Sequence, residues 1–123
     1  MPLFDSTLAE IGLSLQLPAL AFNAEGCAAF TVGDSDLVSF EKRGTGLLMS
    51  VARPVPPHRA GVAKKALEYC HENGSLPFAV RPGLNKKGLL VLTVRFTRLD
   101  FTLSEAMRRL TLLRENLGKA LEM

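Results

Sequence analysis

The chain has 123 residues, 47% of them hydrophobic and 22% charged, with a formal net charge of +3 and a sequence pI near 9.1. That is one domain's length, too apolar for a disordered chain, and it lacks the apolar run of a membrane span: the longest charge-free stretch, between Glu10 and Glu25, is broken by Gln16 and Pro18. The opening Met1-Pro-Leu-Phe-Asp5 has no basic segment of the kind a secretory signal needs, and two cysteines make no disulfide framework, so a reducing cytoplasm is the expected compartment.

Phe4, Leu8, Ile11 and Leu15 recur at helical spacing and predict a first helix with one apolar stripe. Pro2 suits its first turn and Pro18 ends it, while Gly12 inside it costs about 1 kcal/mol against Ala. Three strand-like runs follow: Cys27–Val32, with an extended Ala19–Phe22 before it, then Asp36–Lys42 and Leu47–Arg53. The connections Gly33-Asp-Ser35 and Arg43-Gly-Thr-Gly46 are short and tolerate positive φ, which predicts antiparallel hairpins. Three prolines between Arg53 and Pro57 then break the sheet.

A second helix is expected to start near Pro57, with Val62, Ala63, Ala66, Leu67 and Cys70 on its apolar side and Asn73-Gly74 as its stop. Two more strands are expected near Phe78–Arg81 and Gly88–Phe96, joined by residues 82–88. The last has Leu90, Leu92, Val94 and Phe96 on one face and Leu89, Val91, Thr93 and Arg95 on the other. Thr102-Leu-Ser-Glu105 has the pattern of a capping box. It opens a third helix striped by Leu103, Met107, Leu110, Leu113, Leu117 and Leu121. The order α-β-β-β-α-β-β-α predicts a single α+β domain over residues 1–123, a twisted, mostly antiparallel sheet with helices packed on it.

Charge is segregated along this order. Residues 1–41 hold six carboxylates and no Lys or Arg, residues 42–98 hold eleven bases against Glu68 and Glu72, and the remainder balances four against four. Such asymmetry fits a charged partner or self-association, and it equally fits a fold that brings the two segments together.

No catalytic constellation emerges. Cys70 and His71 are adjacent on a helix, so their side chains diverge, and both Cys70 and Cys27 read as packed apolar positions. His58 and His71 lie about 20 Å apart along one helix and cannot share a metal. Gly44-Thr-Gly46 joins two strands, whereas a phosphate-cradling loop leads from a strand into a helix. No enzyme activity, cofactor or metal is expected. The paired bases Lys64-Lys65, Lys86-Lys87 and Arg108-Arg109 could neutralise phosphates, but Trp is absent and Tyr69 is the only tyrosine. Without a stacking surface they read as solvated helix faces and loop tips.

Two features ask for a protein partner. Ala60, Gly61, Ala63 and Ala66 let another helix approach closely, whether from a second chain or from its own fold. The last strand is apolar on both faces, which a small sheet covered on one side does not require. A dimer, or capture of an extended segment from another chain, would cover the surplus.

Together these features resemble the class I chaperones of type III secretion. The phrases carrying the resemblance are Leu3-Phe-Asp5, Leu8-Ala-Glu-Ile-Gly12, Leu17-Pro18 and Asn23-Ala-Glu-Gly26. The SycN-type subgroup is matched by Val51-Ala-Arg-Pro54, His58-Arg59, Lys65-Ala-Leu67, Gly74-Ser-Leu-Pro77, Leu90-Val-Leu92 and the leucine-rich last helix. The resemblance spans nearly the whole chain, without one diagnostic motif. It implies a bacterial cytoplasmic chaperone, transiently at the inner-membrane secretion apparatus. Such a chaperone pairs with a second, YscB-like small chaperone and binds the N-terminal segment of a secreted, YopN-like gatekeeper. It implies a heterodimer, a homodimer being the alternative, with no nucleic acid and no membrane insertion. The family's pairing helix maps onto Arg59, Val62, Ala63, Ala66, Leu67 and Cys70, and its client grooves onto Phe4, Leu8, Phe30, Phe40 and Val91. Where many such chaperones are acidic, this chain is basic, so Arg59, Lys64 and Lys65 are expected to face acids on the partner. A homodimeric adaptor of the same fold and a small basic nucleic-acid-binding domain are the alternative functions.

Overall fold

In the computed structural model, which describes residues 4–55, 61–72 and 76–122, the chain runs α1 (Asp5–Ser14), β1 (Cys27–Val32), β2 (Asp36–Arg43), β3 (Gly46–Pro54), α2 (Val62–Glu72), β4 (Arg81–Leu84), β5 (Leu89–Phe96) and α3 (Leu103–Glu122). The expected element order is the observed one. Pro2, the α2 start near Pro57 and the Asn73-Gly74 stop lie outside the described residues.

The five strands form one antiparallel sheet in the order β1-β2-β3-β5-β4. Arg43 pairs with Gly46 across a two-residue turn whose Gly44 has φ +57°, the positive φ that short hairpins need. Strand β4 sits three residues beyond its expected place. Pro82 and Gly83, which suggest a loop in sequence, are strand residues because β4 is an edge: Pro82 pairs with Leu92, and no strand among the described residues lies beyond it for a missing N–H to bond. The β4–β5 turn is fixed by Asn85, whose Oδ1 accepts from the amides of Lys87 and Leu89, and by Gly88 at φ +79°.

Alternation along the strands gives the sheet two unlike faces. Inward point Ala28 and Phe30, Val38 and Phe40, Leu47, Met49 and Val51, and Leu90, Leu92, Val94 and Phe96, all in the core. Over them lie Leu8 and Ile11 of α1, Ala66 of α2, and Ala106, Leu110, Leu113, Leu117 and Ala120 of α3. The expected α3 stripe is thus core-facing, with Leu103, Met107 and Leu121 partly buried at its margin. Its capping box forms by half. Thr102 Oγ1 accepts from the Glu105 amide, but the Glu105 carboxylate turns to Arg108 and Arg109 instead of back to the cap. Hydrogen bonds from those two arginines, Arg108 first, hold its carboxyl down at about 2.

Gly12 is required by the turn that ends α1. The Leu17 amide donates to Gly12 O at 2.6 Å and the Gln16 amide to Leu13 O at 3.2 Å, a Schellman ending with Gln16 at φ +61° in the position glycine usually takes. A Cβ on residue 12 would stand 2.5 Å from Leu17 O, so the helix-propensity cost of Gly12 is outweighed by the close return of the chain.

Asp36 is the one charged side chain of the described core, at 2% exposure. It accepts from Arg53 at 2.6 and 2.7 Å and from Arg114 at 2.7 Å, tying β2, β3 and α3 together. Burial pushes its carboxyl up, and the two guanidinium groups outweigh this and hold it below the ordinary carboxylate value.

Candidate functional site

Three surfaces bear on function: the outward side of α2, the seam around edge strand β1, and the outer sheet face. Helix α2 packs on α3 and β4 of its own chain. Ala66 is fully buried there and Leu67 is half-buried against the core, while Lys64, Lys65 and Glu68 are exposed. Arg59 lies outside the described residues, as do the side chains of Val62, Ala63 and Cys70. The close helix approach that the small residues predict is made at Ala66 within the chain itself.

Four of the five residues matched to the client grooves stand in the core. Phe4 and Phe101 meet edge to face at 5.7 Å, Phe40 is 5.8 Å from Phe101, and Phe30 stacks on Phe40 at 6.1 Å. Leu8 is fully buried beside them. Phe30 and Phe40 also back two shallow grooves flanking β1. One, of about 370 Å³, runs between Phe30 and the segment Gln16–Ala21. The other, of about 400 Å³, lies between Ala21, Asn23, Cys27 and Glu41. The segment between α1 and β1 is held over them by Lys42, whose Nζ lies 2.9 Å from Asp5 and 4.4 Å from the Phe22 ring.

The fifth, Val91, is half-buried on the outer face. Cross-strand register divides that face into rows. Leu37, Ala52, Val91 and Gly83 make an apolar row. Ser39, Ser50, Thr93 and Arg81 make a hydroxyl row, with Ser50 and Thr93 joined at 3.0 Å. Glu41, Leu48 and Arg95 make a third row, beside Arg43 and Gly46. Pairing of β4 stops at Arg81 and Thr93, and where the strands part a groove of about 690 Å³ opens between Leu48, Val80, Arg81 and Arg95. Sequence reasoning singles out neither Arg81 nor Leu48; with β4 placed at Arg81, the i, i+2 pair Thr93 and Arg95 would have revealed the cluster.

The charge segregation of the sequence is partly cancelled by folding: Asp5 meets Lys42, and Asp36 meets Arg53. Among the described residues no group of three His, Cys, Asp or Glu could hold a metal, and no buried side-chain polar atom lacks a hydrogen-bond partner. No helix among them is long and apolar enough to cross a membrane. What these surfaces can do chemically is bind: apolar troughs, a free strand edge and guanidinium groups suit an extended polypeptide.

No protein-family model matches the sequence, and no curated protein sequence does. Solved structures match the fold along its whole length. The type III secretion chaperone SycH of Yersinia pestis, in complex with a fragment of YscM2, superposes with a TM-score of 0.72 at 18% identity, over 95% of this chain and 98% of that one. A chain of the HopA1–SchA chaperone–effector complex gives 0.71 at 18% identity, over 98% and 94%. A chain of the ExsC–ExsE complex gives 0.77 at 18% identity, over 96% and 90%. The chain therefore has the type III secretion chaperone fold.

Proposed function

We propose that this chain is a class I type III secretion chaperone, a nonenzymatic protein of the bacterial cytoplasm that keeps a secreted partner competent for export. The observation that carries the reading is the coincidence of fold with SycH over 95% of the chain, joined to a sheet whose outer face and β1 edge have no covering element among the described residues. In the finer reading it is SycN-like. It pairs through α2 with a YscB-like small chaperone, and the pair holds the N-terminal segment of a YopN-like gatekeeper. The pairing surface is centred on Arg59, Val62, Ala63, Leu67 and Cys70, with Ala66 supporting the helix from within. Exposed Lys64 and Lys65 suit acids on the partner. The client would lie across Val91 and the grooves backed by Phe30 and Phe40, with Phe4 and Leu8 holding α1 in place behind them.

Coexpression tests this. Alone, the protein is expected to self-associate or to be poorly soluble; with the second chaperone it should elute as a defined 1:1 complex that retains an N-terminal client fragment. A well-behaved monomer that captures no such fragment in either form would overturn the reading. Reversing the charge of Arg59, Lys64 and Lys65 together without loss of pairing would overturn the charge-matched interface alone.

A further inference from the structure

The proposed function leaves unused the arginine-rich end of the outer sheet face. Arg81 and Arg95 are exposed, and neither has an ion-pair partner among the described residues. The Arg95 guanidinium lies back over Gly46, whose Cβ position is 3.1 Å from its Nε and Nη2, and Gly46 is the cross-strand partner of Arg43. One carboxylate, Glu41, faces the cluster and is already against Arg43 at 3.3 Å. Like charges gathered at a groove mouth repel one another and raise the local potential, a cost that a bound anion relieves.

The groove is not a simple anion site. Its walls include Leu48 and Val80, and a second groove of about 230 Å³, sharing Arg81 and Thr93, continues past Gly83 to Val91. From Arg95 to Val91 is about 13 Å of strand at about 3.3 Å per residue, room for four or five extended residues. Apolar floor with cationic rim does not suit a phosphate backbone, and no aromatic lines either groove for a base to stack on. We propose that this surface takes an extended acidic segment of a partner protein, with apolar side chains beside Leu48, Val80 and Val91 and carboxylates on Arg81 and Arg95. This rests on the chaperone reading for a segment lying across Val91, and goes beyond it by fixing the chemistry of that segment at the arginine end.

Fluorescence anisotropy with the whole chain tests it, using labelled peptides of about ten residues that alternate Glu with Leu, Gln with Leu or Lys with Leu. The Glu peptide should bind, and the Lys peptide should not. Affinity for the Glu peptide should fall about tenfold or more in Arg81→Glu/Arg95→Glu, and also on raising salt from about 0.05 M to about 0.5 M. The neutral pair Arg81→Gln/Arg95→Gln should lose most of the same affinity with an unchanged circular dichroism spectrum. Equal binding of the Gln and Glu peptides, or unchanged binding by both double variants, would overturn the proposal. So would displacement of the Glu peptide by oligothymidylate at equal concentration, or a dimer that dissociates in the double variants, which would make a second copy the occupant. None of these results bears on coexpression with a second chaperone.

Discussion

On the inner face of the sheet Val38, Phe40, Met49, Val51, Leu92 and Phe96 are each at most 1% exposed, sealed by α1 and α3. On the outer face the intervening residues of the same strands read Leu37, Ser39, Leu48, Ser50, Val91, Thr93 and Arg95, half-buried or exposed around a buried Ala52, and no helix among the described residues lies over them. Both faces are apolar in part, yet only one is closed. A strand that alternates Leu with Thr or Arg, as β5 does, delivers a core to one side and a binding surface to the other with no further machinery. Stability and recognition are therefore separable here, residue by residue along a single strand.

The sharpest attempt to break that separation pairs one residue from each face. Phe40→Ala should lower unfolding stability by about 3–5 kcal/mol in urea titrations, whereas Val91→Ala should cost about 1 kcal/mol or less. Similar losses at both positions would mean that the outer face is closed too. Asp36→Asn comes next. Removing the buried carboxylate's charge breaks its ion pairs with Arg53 and Arg114, at the low end of the range for breaking a buried pair because both arginines stay partly exposed, about 3 kcal/mol. Its pH dependence follows in sign. The folded carboxyl titrates below its ordinary value of 3.8, so its contribution is complete above that value and disappears as pH falls through the lower, folded one. Acid titration of the wild type should therefore show a loss of stability below about pH 4 that Asp36→Asn lacks.

Two smaller changes probe the cover of the inner face. Gly12→Ala should destabilise by about 1–2 kcal/mol despite alanine's better helix propensity, since its Cβ meets Leu17 O. Gln16→Gly, four residues on at the same helix end, should raise stability by about 1 kcal/mol by removing the left-handed strain. Thermal or urea unfolding reads both, and opposite signs are the expected outcome.

Element order was legible because periodicity and turn residues are local. Cys27–Val32 is found as read, and the two-faced pattern of β5 correctly marked both a core and an open side. The roles of the phenylalanines were not legible. Phe4, Phe30 and Phe40 carry no local mark that distinguishes a core residue from a groove residue, and their distances to one another and to Phe101 arise only on folding. The arginine groove was hidden by one shift. With a strand at Phe78–Arg81 and a loop over Pro82 and Gly83, nothing places Arg81 across from Thr93. Edge position, a property of the sheet and not of the segment, decides that a proline can be paired there.

One helix does two jobs at once. The 20 residues of α3 bring both the lid over the inner face of the sheet and, through Arg114, the second cation for Asp36. A chain in which α3 is cut short can still pair its strands, but it can neither bury their inner face nor neutralise Asp36 in full. A truncation within α3 should therefore yield an aggregating sheet instead of a smaller folded domain.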